Sequence, residues 1–244
     1  MFREQGNTMI TIGTCVLGEK PRVAVALRDD AMRSAVEPYI ARGLDMVEMR
    51  IDNFSDVSKA HVLSKLREFS GLPRIGTIRS NEEGGGWQGS ERERLALYEN
   101  IVSDVEAVDI EIGADIINHE VIKIAKRAGI TIIGSFHDFQ MTPDNDALNA
   151  ILERGKALGV DIVKIAAHCD GKSDLQKLAR FLVEHPDNAL IVIGMGAAAT
   201  PSRILFPALG SLVAYTFLGE PSAPGQLDCD ATIRFFNELY PGKE

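Results

Sequence analysis

The sequence predicts an α/β protein: a closed (β/α)8 barrel with one extra β segment at its N-terminal end. Three observations carry this. Short, β-branched apolar runs alternate with stretches of helical spacing along the whole chain, the pattern of βα units on a parallel sheet. Eight such runs follow an opening β-like segment, and eight units over ~220 residues suit a closed barrel better than an open doubly wound sheet. Polar residues also gather at the C-terminal end of nearly every run, where a barrel places its chemistry.

The opening segment, residues 9–17, is spare to the eightfold pattern and is expected to form a hairpin that plugs the N-terminal end of the barrel. The runs follow at 23–27, 46–51, 74–78, 107–112, 130–135, 161–166, 190–193 and 211–216. They are short and nearly all apolar, as strands buried on both faces are. Helical spacing covers 57–69, 91–102, 147–158, 175–183 and 227–239. His119 opens another helical stretch, His61 lies within one, and His185 precedes Pro186 in a turn. No linker, low-complexity tract or charge block divides the chain. Residues 1–244 are therefore expected to form a single catalytic barrel of the TIM type, with 1–7 as a flexible tail that lacks a signal-peptide core.

Composition narrows the function. The chain is 45% hydrophobic and 25% charged, ordinary for a globular enzyme with a large core. Its net charge of −9 argues against nucleic acid or an anionic membrane as partner. A small anionic substrate stays open, because a few local arginines override the global field. No apolar run approaches the ~20 residues of a membrane span. Cys15, Cys169 and Cys229 are odd in number and lack C-x-x-C spacing. That points away from a disulfide framework or zinc site and toward a reducing, cytoplasmic setting. Cys169 reads as a packing residue.

Lys164 is the most awkward residue, set among Ile162, Val163 and Ile165 in the sixth run. A cation there must be paired, or be neutral at a cost. One reading is an amine nucleophile that forms a Schiff base, its pKa lowered by burial and by Arg50, Arg79 and Arg203. The other is a salt bridge to a nearby carboxylate such as Glu111. His137 ends the fifth run and is the natural general acid/base, or else a structural strand-end histidine. Asp138 beside it is a supporting group or a turn residue. His168 lies past the sixth run.

Glu48, Arg50 and Asp52 share one strand face if the strand runs that far. Glu48 and Arg50 either pair with each other or bind a polyhydroxylated substrate. Arg79 ends the third run, Asp109 and Glu111 the fourth, and Met195 follows the seventh. The loop 79–89 carries Gly84, Gly85 and Gly86 in a row, which predicts a mobile loop closing over a site, or a flexible connector. Its Glu83 is placed to orient His137. The loop 194–203 opens a helix at Pro201 and, with Arg203, forms a site for a phosphate or a carboxylate. Ser222 and Gln226 add donors to it or simply build a turn.

Six segments now stand in order: Glu-Met-Arg at 48–50, Arg-Ser-x-x-Glu-Gly-Gly at 79–85, Ser-Phe-His-Asp-Phe-x-x-Thr-Pro at 135–143, Val-Lys-Ile-Ala at 163–166, Met-Gly-x-x-x-x-x-Ser-Arg at 195–203, and Ser-Ala-Pro-Gly-Gln at 222–226. Together they resemble the type I 3-dehydroquinate dehydratases, the Schiff-base enzymes of the shikimate pathway. The likeness runs from about residue 23 to 236. It implies that Lys164 forms an imine with the substrate ketone, that His137 moves the protons, and that Glu83 orients His137. It further implies that Arg203, Ser222 and Gln226 hold the substrate carboxylate, that Glu48, Arg50 and Arg79 bind the ring hydroxyls and frame the imine, and that Phe139 and Met195 form apolar walls. No metal or organic cofactor is implied, because the lysine supplies the electron sink. A homodimer is implied. The chain departs at Ile193, where some members carry a second methionine. Competing readings are another Schiff-base barrel, such as a class I aldolase, and a binding barrel that has lost turnover.

Overall fold

In the computed structural model, which describes residues 9–219 and 225–240, the chain opens with a small antiparallel hairpin. Its strands are β1 (Thr11–Ile12) and β2 (Cys15–Val16), turned at Gly13 with φ 56°. Eight parallel strands follow: β3 (Arg22–Leu27), β4 (Met46–Arg50), β5 (Arg74–Thr77), β6 (Ala107–Glu111), β7 (Thr131–Asp138), β8 (Ile162–His168), β9 (Leu190–Met195) and β10 (Val213–Phe217). They pair in chain order from β3 to β9, and β10 pairs with β3. The seam between β9 and β10 is joined where Leu212 N donates to Leu190 O (2.9 Å) and Val192 N donates to Ser211 Oγ (3.0 Å). The fold is the predicted (β/α)8 barrel with an N-terminal β extra.

Helices lie between the strands: α1 (Arg33–Ile40), α2 (Lys59–Glu68), α3 (Glu91–Ile101), α4 (Asn118–Ala128), α5 (Asn145–Leu158), α6 (Lys172–Glu184), α7 (Ser202–Ala208) and α8 (Cys229–Leu239). Their starts follow local chemistry. Ser90 and Glu93 form a reciprocal capping box on α3, and Asp144 and Asp228 cap α5 and α8. Helix α1 escaped the periodicity reading, since it has only 8 residues and carries Pro38.

Strand period places the site. The first inward residues of the strands are apolar: Ala24, Met46, Ile75, Ala107, Ile133, Ile162, Ile191 and Val213. They pack as one cluster with Ile12, Cys15 and Leu17, so the hairpin seals the N-terminal end. Two residues further along, the same face carries Glu48, Thr77, Asp109, Ser135, Lys164 and Tyr215, all buried. An apolar floor thus supports a polar layer at the C-terminal mouth.

Several strand ends differ from expectation. The chain leaves β4 at Arg50 for a 3-10 turn, Ile51–Asn53, so Asp52 does not continue the strand face. Strands β7 and β8 run further than predicted because their pairing continues through His137↔Ala166 and Asp138↔Ala167. His168 and Met195 are paired strand residues rather than loop residues. The three cysteines are all buried. The tail 1–7 lies outside the described residues.

Candidate active site

The polar layer opens into a cleft at the C-terminal mouth of the barrel. Glu48, Arg50, Arg79, Glu83, His137, Phe139, Lys164, Met195, Arg203 and Gln226 all line it. The structure therefore brings together every candidate residue among those described. Ser222 lies outside the described residues.

Lys164 Nζ lies 2.8 Å from Asp109 Oδ2 and 3.4 Å from Glu48 Oε1. Burial alone would push its pKa down, but these two carboxylates more than offset it and the pKa is raised. Of the two sequence expectations for this residue, the salt bridge to a nearby carboxylate is what the structure shows, with Asp109 and Glu48 as partners. The amine is not poised neutral by its arginine neighbours, and its ion-pair partner is not Glu111. That carboxylate is taken by Arg94 Nη1 at 2.8 Å, Ser80 N at 2.8 Å and Arg79 Nη1 at 3.2 Å. Asp109 is the hub: besides Lys164 it accepts from Arg79 Nη2 and Ser135 Oγ, both at 2.6 Å. Its burial would raise its pKa, but Arg79 and Lys164 hold it far below the usual carboxylate range.

His137 is oriented from behind. Glu83 Oε2 accepts the His137 backbone N–H at 2.8 Å and lies 2.9 Å from Nδ1. Burial, then the charges of Arg79 and Lys164, hold the imidazole well below its ordinary pKa. Burial pushes the Glu83 carboxyl up to about 8, with Arg79 opposing. Asp138 ends β7 and its side chain caps the turn that follows, Oδ1 accepting from Gln140 N and Met141 N.

Arg50 does not pair with Glu48. It makes a bidentate bond to Asp52, at 3.0 and 2.7 Å, while Glu48 accepts from Thr77 Oγ1 at 2.9 Å. Arg203 is 6% exposed, and its Nε and Nη2 have no hydrogen-bond partner among the described residues. Burial lowers its pKa to about 10. A buried guanidinium with unspent donors facing a cleft is a receptor for an anion, above all a planar one.

In this structure the glycine-rich loop packs closely against its surroundings. Gly85 N bonds Ser80 O at 2.8 Å, and Gly86 N bonds Asp52 Oδ2 at 3.0 Å. A Cβ at Gly85 would meet Arg79 O at 2.1 Å, and one at Gly86 would meet Asn53 Oδ1 at 2.4 Å. These glycines serve close packing, and the packing holds Arg79 and Glu83 in place.

A family model described as Type I 3-dehydroquinase matches residues 23–240. The chain belongs to this family. A curated relative, the 3-dehydroquinate dehydratase of Thermodesulfovibrio yellowstonii, is 33% identical over 220 residues, covering 90% of this chain and 96% of the relative. The crystal structure of the 3-dehydroquinate dehydratase from Aquifex aeolicus VF5 superposes with TM-score 0.82 at 32% identity, over 91% of this chain and 100% of that one. A type I 3-dehydroquinate dehydratase from Clostridium difficile, solved with covalent modified comenic acid, superposes with TM-score 0.88 at 25% identity, over 96% and 98% of the two chains.

Sequence reasoning left Asp109, Thr77, Ser135 and Tyr215 out of this family's site as read here. Asp109 had a signal, a carboxylate on the inward face of the apolar strand β6. Tyr215 had none, since a tyrosine in an apolar strand reads as core.

Proposed function

We propose that this chain dehydrates 3-dehydroquinate to 3-dehydroshikimate through an imine on Lys164, with His137 carrying the protons. The observation that carries the reading is the shared cleft: a buried lysine, a histidine held neutral and a guanidinium with unspent donors all line it. Arg203 takes the substrate carboxylate, with Gln226 lining the same cleft and Ser222 assigned to it by the family resemblance alone. Glu48, Arg50 and Arg79 meet the ring hydroxyls, and Phe139 and Met195 bound the apolar side.

The resting lysine is an ammonium, so the first step is loss of its proton, and neutral His137 is the acceptor. Glu83 at 2.9 Å from Nδ1 favours the tautomer with Nδ1–H, which leaves Nε2 as the base. The amine adds to the C3 ketone, and the imidazolium protonates the departing hydroxyl as water leaves and the iminium forms. Neutral His137 then removes the C2 proton; the C–H electron pair forms the C2=C3 double bond and the C3=N π pair moves onto nitrogen, giving an enamine. Imidazolium returns the proton to the C1 hydroxyl, which leaves as water, and hydrolysis frees the product and Lys164. The iminium withdraws the electrons that make the C2 proton acidic, and Glu48 and Asp109 balance its charge. A homodimer in a reducing cytoplasm is part of the same reading and rests on the family resemblance and the cysteine pattern.

Borohydride trapping with 3-dehydroquinate tests it. A reduced adduct mapped to Lys164, lost in Lys164→Ala, is expected. A folded, active chain that yields no adduct would remove the imine.

A further inference from the structure

One polar group in the cleft has no part in the steps above. Tyr215 stands on the inward face of β10, is 5% exposed and lines the cleft beside Lys164, Glu48 and Arg203. Lys164 Nζ lies 4.1 Å from its ring centroid. Its hydroxyl is buried, and no described residue accepts its proton, since the Lys164 ammonium beside it can only donate. Tyr98 shows what a structural phenol does in this barrel, donating to Asp109 O at 2.7 Å and accepting from Ile78 N at 3.3 Å. A buried hydroxyl whose proton has no acceptor costs stability that a phenylalanine would spare. An unspent donor at the nucleophile is therefore a group held for a ligand.

We propose that the Tyr215 hydroxyl is the donor and proton relay for the addition of Lys164 to the substrate ketone. The proposal rests on the imine reading. As the neutral amine adds, the C–N bond forms and the C=O π pair moves to oxygen. The phenol gives its proton to that oxygen and takes one from the new C–NH2⁺ nitrogen. Tyrosine ends as it began, and the carbinolamine is neutral. The oxygen concerned sits on the carbon that Nζ attacks, next to the ring that Nζ already faces. Burial, only partly countered by the Lys164 charge, raises the phenol pKa, so the donor keeps its proton at neutral pH.

Tyr215→Phe tests the relay. Without substrate, the variant is expected to melt close to the wild-type temperature, since the hydroxyl's own proton is bonded to nothing and only a contact from Lys164 is lost. Its kcat should fall on the order of 100-fold, the low end for a proton-transfer group. Adduct trapped by borohydride in a single turnover should accumulate more slowly by the same factor. A melting temperature several degrees lower with wild-type turnover would make the hydroxyl structural and overturn the relay, as would adduct formation at the wild-type rate. A wild-type chain that gives no adduct sinks the imine reading and this proposal with it. A wild-type adduct with an unimpaired Tyr215→Phe variant sinks the relay alone. Should Tyr215→Phe lose the fold, 3,5-difluorotyrosine at 215 keeps the hydroxyl while lowering its pKa. It should introduce an alkaline limb in adduct formation that wild type lacks, and an unchanged profile would overturn the proposal.

Discussion

Lys164 is clamped by Asp109 and Glu48, so on the proposed imine route a base must take its proton before it attacks. Asp109 balances two cations at once, Lys164 and Arg79. Asp109→Asn should destabilise the fold by about 3–5 kcal/mol, because it leaves buried charges uncompensated. Urea denaturation measures this, and a loss under 1 kcal/mol would contradict it. His137 sets the pH dependence. Its pKa is depressed in the fold by burial and by Arg79 and Lys164, so its base form persists to lower pH than a free imidazole. The acid limb of kcat/KM should therefore lie below pH ~6.5, the ordinary histidine value. A limb at or above that value speaks against the burial effect. Arg203→Ala removes donors aimed at a carboxylate, and KM should rise roughly 10–100-fold with a smaller effect on kcat. Steady-state kinetics distinguish this from an equal loss in both.

The loop between β5 and α3 packs closely in a way its composition does not reveal. Gly84 does need its freedom, at φ 74° and with Phe139 Cε2 2.3 Å from where a Cβ would stand. Gly85 has no unusual backbone angle, and what excludes a side chain is the Arg79 carbonyl. Gly85→Ala should cost about 1–3 kcal/mol by overpacking. Because it displaces the backbone of Arg79, it should also raise KM. Thermal melts and kinetics read the two effects together, and an unchanged KM would mean the loop absorbs the methyl without moving Arg79. The strand elements behave more simply. Period two carries six of the eight barrel strands from an apolar floor residue to a polar site residue in a single step, as from Met46 to Glu48, Ala107 to Asp109 and Ile162 to Lys164.

At the scale of the barrel, stability and chemistry sit at opposite ends. The hairpin β1–β2 buries Ile12 fully against the apolar floor, and the Thr131 hydroxyl donates to the Thr11 carbonyl. Ile12→Ala should cost about 2–5 kcal/mol as a cavity in that floor, yet leave KM and kcat near wild type at temperatures where the chain stays folded. A change in KM would show that the floor and the cleft are coupled. The net charge of −9 does not conflict with an anionic substrate, because Arg50, Arg79, Lys164 and Arg203 all face one cleft.

Alternating patterns made the barrel, its spare N-terminal segment and the polar ends of its strands legible in the chain, because those features depend on local period. The same reasoning singled out Lys164, His137, Glu83 and Arg203, which the barrel brings to one cleft, each a polar group where a strand or loop end leaves no bland place for it. It did not find which carboxylate holds Lys164. Asp109 and Glu111 lie on the same strand face, two residues apart. Choosing between them needs Arg94, which reaches in from α3 and takes Glu111. Tyr215 stayed hidden for the same reason. Its hydroxyl matters only because nothing among the described residues of the folded barrel accepts its proton. The packing role of the glycine run was not legible, because close packing against Arg79 and Asn53 leaves no trace in local composition. Periodicity is written along the chain, whereas pairing, close packing and unspent donors exist only once distant strands and loops meet.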